Sequence, residues 1–167
     1  MEVFHITCLG TALEICRTRT WKFADAGGDE GINLFDRRGG FTNGNLYTHT
    51  GVRLVFDWLG TPPVRPSNDE MHLNSKDTLY DQYPWRIFLS PNLSGSLLRI
   101  NRIELVNIDG ECCRCGKAVP VASLANLFER WRRYEISKKV SRQNRALLKH
   151  DHFIERVAQH VDFLPER

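Results

Sequence analysis

Apolar and polar positions alternate most cleanly over Gly51–Gly60 (GVRLVFDWLG). Val52, Leu54, Phe56 and Trp58 take one side, and Arg53, Val55 and Asp57 take the other. A period of two is that of a strand. Glu2–Thr7 reads the same way, with Val3, Phe4 and Ile6 as β-formers and His5 and Thr7 between them. Helical spacing follows over Leu9–Arg19, where Leu9, Ala12, Leu13 and Ile15–Cys16 fall on one side and Gly10 and Thr11 mark the start. Trp85–Leu89 and Ser96–Asn107 predict two further strands, turned at Asn92–Gly95. Near the C-terminus, Ser123 is the expected N-cap of a helix from Leu124. Its apolar residues Leu124, Leu127, Phe128, Trp131 and Tyr134 predict a buried stripe. Helical patterning resumes over Arg142–Lys149 and Phe153–Val161, and Ile136–Ser141 leaves open whether the helix is interrupted.

Between these elements lie turn-rich stretches: Asp25–Gly31 (DAGGDEG), Arg37–Asn45 (RRGGFTNGN), the aperiodic Thr61–Tyr83, and the cysteine-bearing Ile108–Gly116. The order predicts an α+β fold with a short central mixed or antiparallel sheet, long loops and a helical, basic C-terminal segment. The expected division is an α+β body over 1–122 and a helical basic extension over 123–167, packed on the same domain.

Composition narrows the class. The chain has 167 residues, 41% of them hydrophobic, which suits a single domain with a real core and excludes wholesale disorder. No apolar run approaches the ~18–20 residues of a membrane span, and MEVFHITCLG lacks the charged and apolar regions of a signal peptide. Five cysteines, an odd number at low density, suggest a reducing cytoplasm.

Charge changes the picture more. The formal net charge is only +3. Residues 1–127 hold 13 basic against 14 acidic side chains, a net of −1, and residues 128–167 hold 10 against 6, a net of +4. Within Arg130–Lys149, eight basic residues face the single acid Glu135, a net of +7. Salt bridges inside a helix cannot absorb such an excess. Arg132, Arg133, Lys138, Lys139, Arg142 and Arg145 are therefore expected to bind an anionic macromolecule, nucleic acid ahead of an acidic protein surface, with Gln143 and Asn144 as polar readers. No helix-turn-helix, finger or RNA-binding signature is complete.

Two other constellations carry chemistry. Cys112-Cys113-Arg114-Cys115-Gly116-Lys117 contains C-x-x-C-G-K, half of a zinc knuckle, so Cys112 and Cys115 are candidate ligands of a structural zinc. The second pair would be His5 and Cys8, or His150 and His152; the other reading is a hairpin turn of reduced thiols. At the N-terminus, His5 and Thr7 stand two apart on a strand and so share a face. They could contact one polar ligand such as a ribose, or simply form the solvent side of an edge strand.

The opening His5-Ile6-Thr7, followed by Thr11-Ala12-Leu13-Glu14-Ile15-Cys16, resembles the start of the ADP-ribosyltransferase superfamily. The DNA-targeting toxins and the RNA 2′-phosphotransferases of that superfamily open in this way. The resemblance covers roughly the first 60 residues. It implies that NAD is held by His5, Thr7, Asn33 and Tyr47, that Arg37 in the polar segment Gly31–Arg38 supports catalysis, and that Glu104 is the catalytic carboxylate. A carboxylate on the ribose would stabilise the oxocarbenium-like state of glycosidic cleavage. Glu104 is otherwise read as a strand residue paired with Arg102 or Arg99. No Ser-Thr-Ser strand is present, and no P-loop, G-x-G-x-x-G or G-x-S-x-G motif occurs.

Two function classes follow. One is an NAD-dependent ADP-ribosyltransferase acting on a nucleic-acid or nucleoprotein target. The other is a non-enzymatic regulator or inhibitor of phage or mobile-element type that binds nucleic acid or protein through its basic helix.

Overall fold

In the computed structural model, the described residues are 1–24, 32–35, 51–60, 71–73, 86–89, 97–106, 119, 124 and 126–160. They build an α+β fold around a six-stranded antiparallel sheet. Its strands are β1 (Glu2–Thr7), β3 (Ile32–Phe35), β4 (Val52–Trp58), β5 (Met71–Leu73), β6 (Arg86–Leu89) and β7 (Leu98–Leu105), in the order β5-β6-β3-β1-β4-β7. β1 lies between β3 and β4, with Phe4 opposite Phe35 on one side and Val55 on the other. β4 then pairs along its whole length with β7. The register slips by one at Val55/Phe56, where Arg102 faces Val55 and Ile100 faces Phe56, leaving Asn101 as a bulge.

The alternation read in β4 is its burial pattern. Val52, Leu54, Phe56 and Trp58 enter the main core with Val3, Ile32, Leu34, Leu98, Ile100 and Ile103 from neighbouring strands. Helix α1 (Leu9–Thr18) covers part of this face with Ala12, Ile15 and Cys16. Cys8 caps it, its Sγ accepting from the Thr11 amide at 3.4 Å, and Arg19 ends it in the left-handed conformation at φ 55°. The opposite face of the sheet holds a smaller apolar cluster of Phe4, Phe35 and Val55.

β2 (Thr20–Ala24) and β8 (Arg156–His160) form a separate two-stranded parallel ladder, Thr20 opposite Arg156 and Ala24 opposite His160. The helix expected over Phe153–Val161 is therefore corrected. His152–Ile154 runs beside β7, where Ile100 N–H donates to the His152 carbonyl at 2.6 Å and Ile154 N–H to the Leu98 carbonyl at 2.9 Å. Unpaired groups on an edge strand capture a short apolar segment whose own pattern fits either state. β5 likewise lies inside the aperiodic stretch Thr61–Tyr83, and β3 inside Gly31–Arg38, which the resemblance implied to be a polar catalytic segment.

Helix α2 (Leu127–Leu147) runs without interruption through Ile136–Ser141. Its cap is Asn126, whose Oδ1 accepts from the amides of Phe128 and Glu129 at 3.1 and 3.2 Å, in place of the expected Ser123. Its inward residues are Ile136, Val140, Asn144 and Leu147. Asn144 Nδ2 donates to the Ile103 carbonyl at 2.9 Å, and its Oδ1 accepts from the Ile103 amide at 2.8 Å. The side-chain amide thus stands in for a neighbouring strand and, with His152–Ile154, closes the free edge of β7.

Candidate nucleic-acid interface

Residues directly opposite across an antiparallel pair share a face. His5 lies opposite Leu54, which lies opposite Ile103; Ile6 lies opposite Arg53, which lies opposite Glu104. His5 and Glu104 therefore point to opposite sides of the sheet and line no common cleft. His5 meets the edge of Trp21, ring centres 4.6 Å apart, and Thr7 is buried.

Glu104 sits in an ion network on the far side. Its Oε2 lies 3.1 Å from Arg53 Nη1, and its Oε1 accepts from Arg102 Nε at 2.9 Å, while Arg102 Nη1 reaches Glu2 at 2.7 Å. The hydrogen bond to Glu2, ahead of that to Glu104, raises the Arg102 pKa above its ordinary value. Arg53 also lies 5.9 Å from the centre of the Phe4 ring, so the network roofs the smaller apolar cluster. The other acids of β1 and β4, Glu2 and Asp57, share this face, leaving His5 with no acidic residue on its side of β1, β4 or β7. The expected pairing of Arg102 with Glu104 is present, and Arg53 joins it from β4.

Asn33 lies in β3, opposite Phe88 of β6. Arg37, Tyr47, Cys112, Cys113 and Cys115 fall outside the described residues. Among the described residues no group of three metal-ligating side chains occurs. Cys8 is the buried cap of α1.

α2 presents the most distinctive surface. The stripe expected to be buried is turned outward: Leu124, Leu127, Phe128, Trp131 and Tyr134 are 57 to 90% exposed. The reason is geometric. Trp131 and Val140 are nine residues apart, about two and a half helical turns, so they occupy opposite sides. The helix carries two apolar stripes, and the one containing Val140 and Leu147 meets β7. The outward stripe then continues in kind of position but not in chemistry. Leu127, Trp131, Tyr134, Lys138, Arg142 and Arg145 follow at spacings of three or four and form one row, apolar first and cationic after.

Phe128 and Trp131 have ring centres 6.1 Å apart at 36°, and Lys138 Nζ lies 4.4 Å from the Tyr134 ring centre. Lys138 pairs with Glu135 at 3.3 Å, which raises its pKa. Arg130, Lys139, Arg142 and Arg145 are exposed, whereas Arg132 and Arg133 are half-buried toward the flank. Asn144, expected as a polar reader, is committed to β7, and Gln143 is half-buried.

A cleft of about 430 Å³ lies where the end of α2 meets β7, lined by Asp57, Arg99, Asn101, Lys149, His150 and Asp151 among others. Arg99 and the two acids are paired within it. Arg99 binds Asp57 at 2.8 Å and Asp151 at 3.3 Å, and Asn101 donates to both Asp57 oxygens.

Compared with known proteins, the chain matches no family model, no curated relative and no solved structure. No described helix is long and apolar enough to cross a membrane.

Proposed function

We propose that this chain binds nucleic acid through the outward face of α2. The observation that carries the reading is the row Leu127, Trp131, Tyr134, Lys138, Arg142, Arg145, which sets exposed rings and exposed cations on one side of a helix anchored by its other side. α2 holds seven basic residues against Glu129 and Glu135, a net of +5. Clustered Lys and Arg release counterions from a phosphate backbone, so affinity falls as salt rises.

Fluorescence anisotropy with labelled oligonucleotides across a salt series tests this. Four or five phosphate contacts give a slope of log affinity against log salt of about −3 to −4. Replacing Arg142 and Arg145 by Gln lowers affinity and flattens the slope by about 2. A salt-independent interaction, or none at low salt, refutes the proposal.

Transfer of ADP-ribose from NAD, implied by the resemblance at the N-terminus, has less support. Its histidine and carboxylate stand on opposite faces of the sheet, and the carboxylate is held by two arginines. Calorimetric titration with NAD tests it separately.

A further inference from the structure

We infer that the nucleic acid held by α2 is single-stranded, its unpaired bases stacking on Trp131 and Phe128 while its backbone follows Lys138, Arg142 and Arg145. The inference rests on the nucleic-acid reading above and adds the substrate class.

Five large apolar side chains stand in water over about two turns at the start of α2 and the residues before it. Scattered apolar exposure is ordinary, but a contiguous aromatic patch marks a surface that is covered in use. Phe128 and Trp131 meet each other as a tilted pair, ring centres 6.1 Å apart at 36°, and their remaining faces stay in solvent. Those open faces can take further flat π groups.

Charge narrows the occupant. The cations lie on the same side as the rings, directly after them, while Glu135 is answered by Lys138 and Glu129 is half-buried. A second copy of the chain would set one helix of net +5 against another. An anionic polymer carrying flat apolar groups meets both halves of the row at once.

Between the two forms of nucleic acid, the chemistry of the first half decides. Duplex bases show only their edges, which are read by Arg, Asn or Gln. Leu127, Phe128 and Trp131 offer no such reader, and Asn144 is turned away toward β7. Unpaired bases expose their faces, and aromatic side chains bind them whatever their sequence. Lys138 over Tyr134 marks the junction where stacking gives way to phosphate contact.

The test uses three 20-nucleotide probes, oligo(dT), oligo(U) and a DNA duplex, against the full chain and two variants, Trp131→Ala and the double Arg142→Gln/Arg145→Gln. Thermal melting checks that each variant is folded. The expected result is that at least one single strand binds about tenfold or more tightly than duplex, the better of the two showing which sugar is preferred. Trp131→Ala then weakens single-strand binding about 5- to 100-fold with its salt slope unchanged, whereas the double variant lowers the slope. Equal binding of duplex and single strand, unaltered by Trp131→Ala, overturns the inference and leaves the nucleic-acid reading standing. Absence of binding to all three probes at low salt overturns both. Dimerisation of the wild type that Trp131→Ala abolishes, seen by sedimentation, overturns the inference by giving the patch to a second copy.

Discussion

The two halves of α2 solve opposite problems. The C-terminal half is fastened to β7 by Val140, Leu147 and the paired hydrogen bonds of Asn144 to Ile103. The N-terminal half carries more aromatic surface yet leaves it in solvent. If burial of apolar area alone decided orientation, the helix would turn Trp131 and Phe128 inward. It does not, because the edge of β7 needs polar partners as well as apolar cover, and only the Ile136–Leu147 side supplies an amide among its aliphatic residues. Stability and recognition are thereby assigned to different ends of one element.

The sharpest way to break this comparison is one substitution made at both ends. Leu147→Ala removes a buried side chain, 6% exposed, and is expected to lower unfolding free energy by about 2–5 kcal/mol in denaturant melts. Leu127→Ala, at a site 76% exposed, is expected to change it by no more than about 0.5 kcal/mol. Equal losses would mean that both halves are packed. Asn144→Ala should follow closely, at about 2–4 kcal/mol, since it orphans a backbone N–H and C=O together. A loss under about 0.5 kcal/mol there would show that water serves the β7 edge equally well.

Smaller effects sharpen the contrast elsewhere. Glu104→Ala leaves Arg53 and Arg102 short of a partner in a partly buried site and should destabilise the fold by about 1–3 kcal/mol. That loss, read by thermal melting, is what a structural carboxylate predicts. An unchanged melt would point back to a role in chemistry. On the core side of α1, burial pushes the Cys16 thiol up from its ordinary value near 9 to about 12. Its thiolate is disfavoured in the folded chain, so the associated stability is intact below pH 9 and is lost as pH rises toward 12. Alkylation of Cys16 at neutral pH, followed by mass spectrometry, should proceed only on unfolding. Rapid labelling of the native chain would contradict the burial.

Legibility in the sequence followed the strength of local patterning. β1, α1, β4 and β7 are readable because each concentrates β-formers or helically spaced apolar residues in one local run, even though β1 and β4 also bury Phe4, Ile6 and Val55 on the second face. β3 is not, since Ile32–Phe35 offers only four residues between two glycine-rich stretches. β8 was misread because Arg156–His160 is too short to separate a strand from a helix, and its partner β2 lies far away in the chain. α2 was readable as a helix and its charge as a surface, but its orientation was not. Two apolar stripes competed, and the choice was made by a long-range contact between Asn144 and Ile103, which are 41 residues apart. At the N-terminus, the faces of His5 and Glu104 depended on the pairing of three strands, which no local pattern encodes.

The claim that the outward row of α2 is the recognition surface is tested most directly by mapping amide and indole NMR shifts during titration with oligo(dT) or oligo(U). The account predicts perturbations concentrated on Leu127, Phe128, Trp131, Tyr134, Lys138 and Arg142, with the Trp131 indole N–H moving most and the buried indoles of Trp21 and Trp58 unmoved. Shifts gathered instead around His5 on β1, with the α2 row silent, would contradict it.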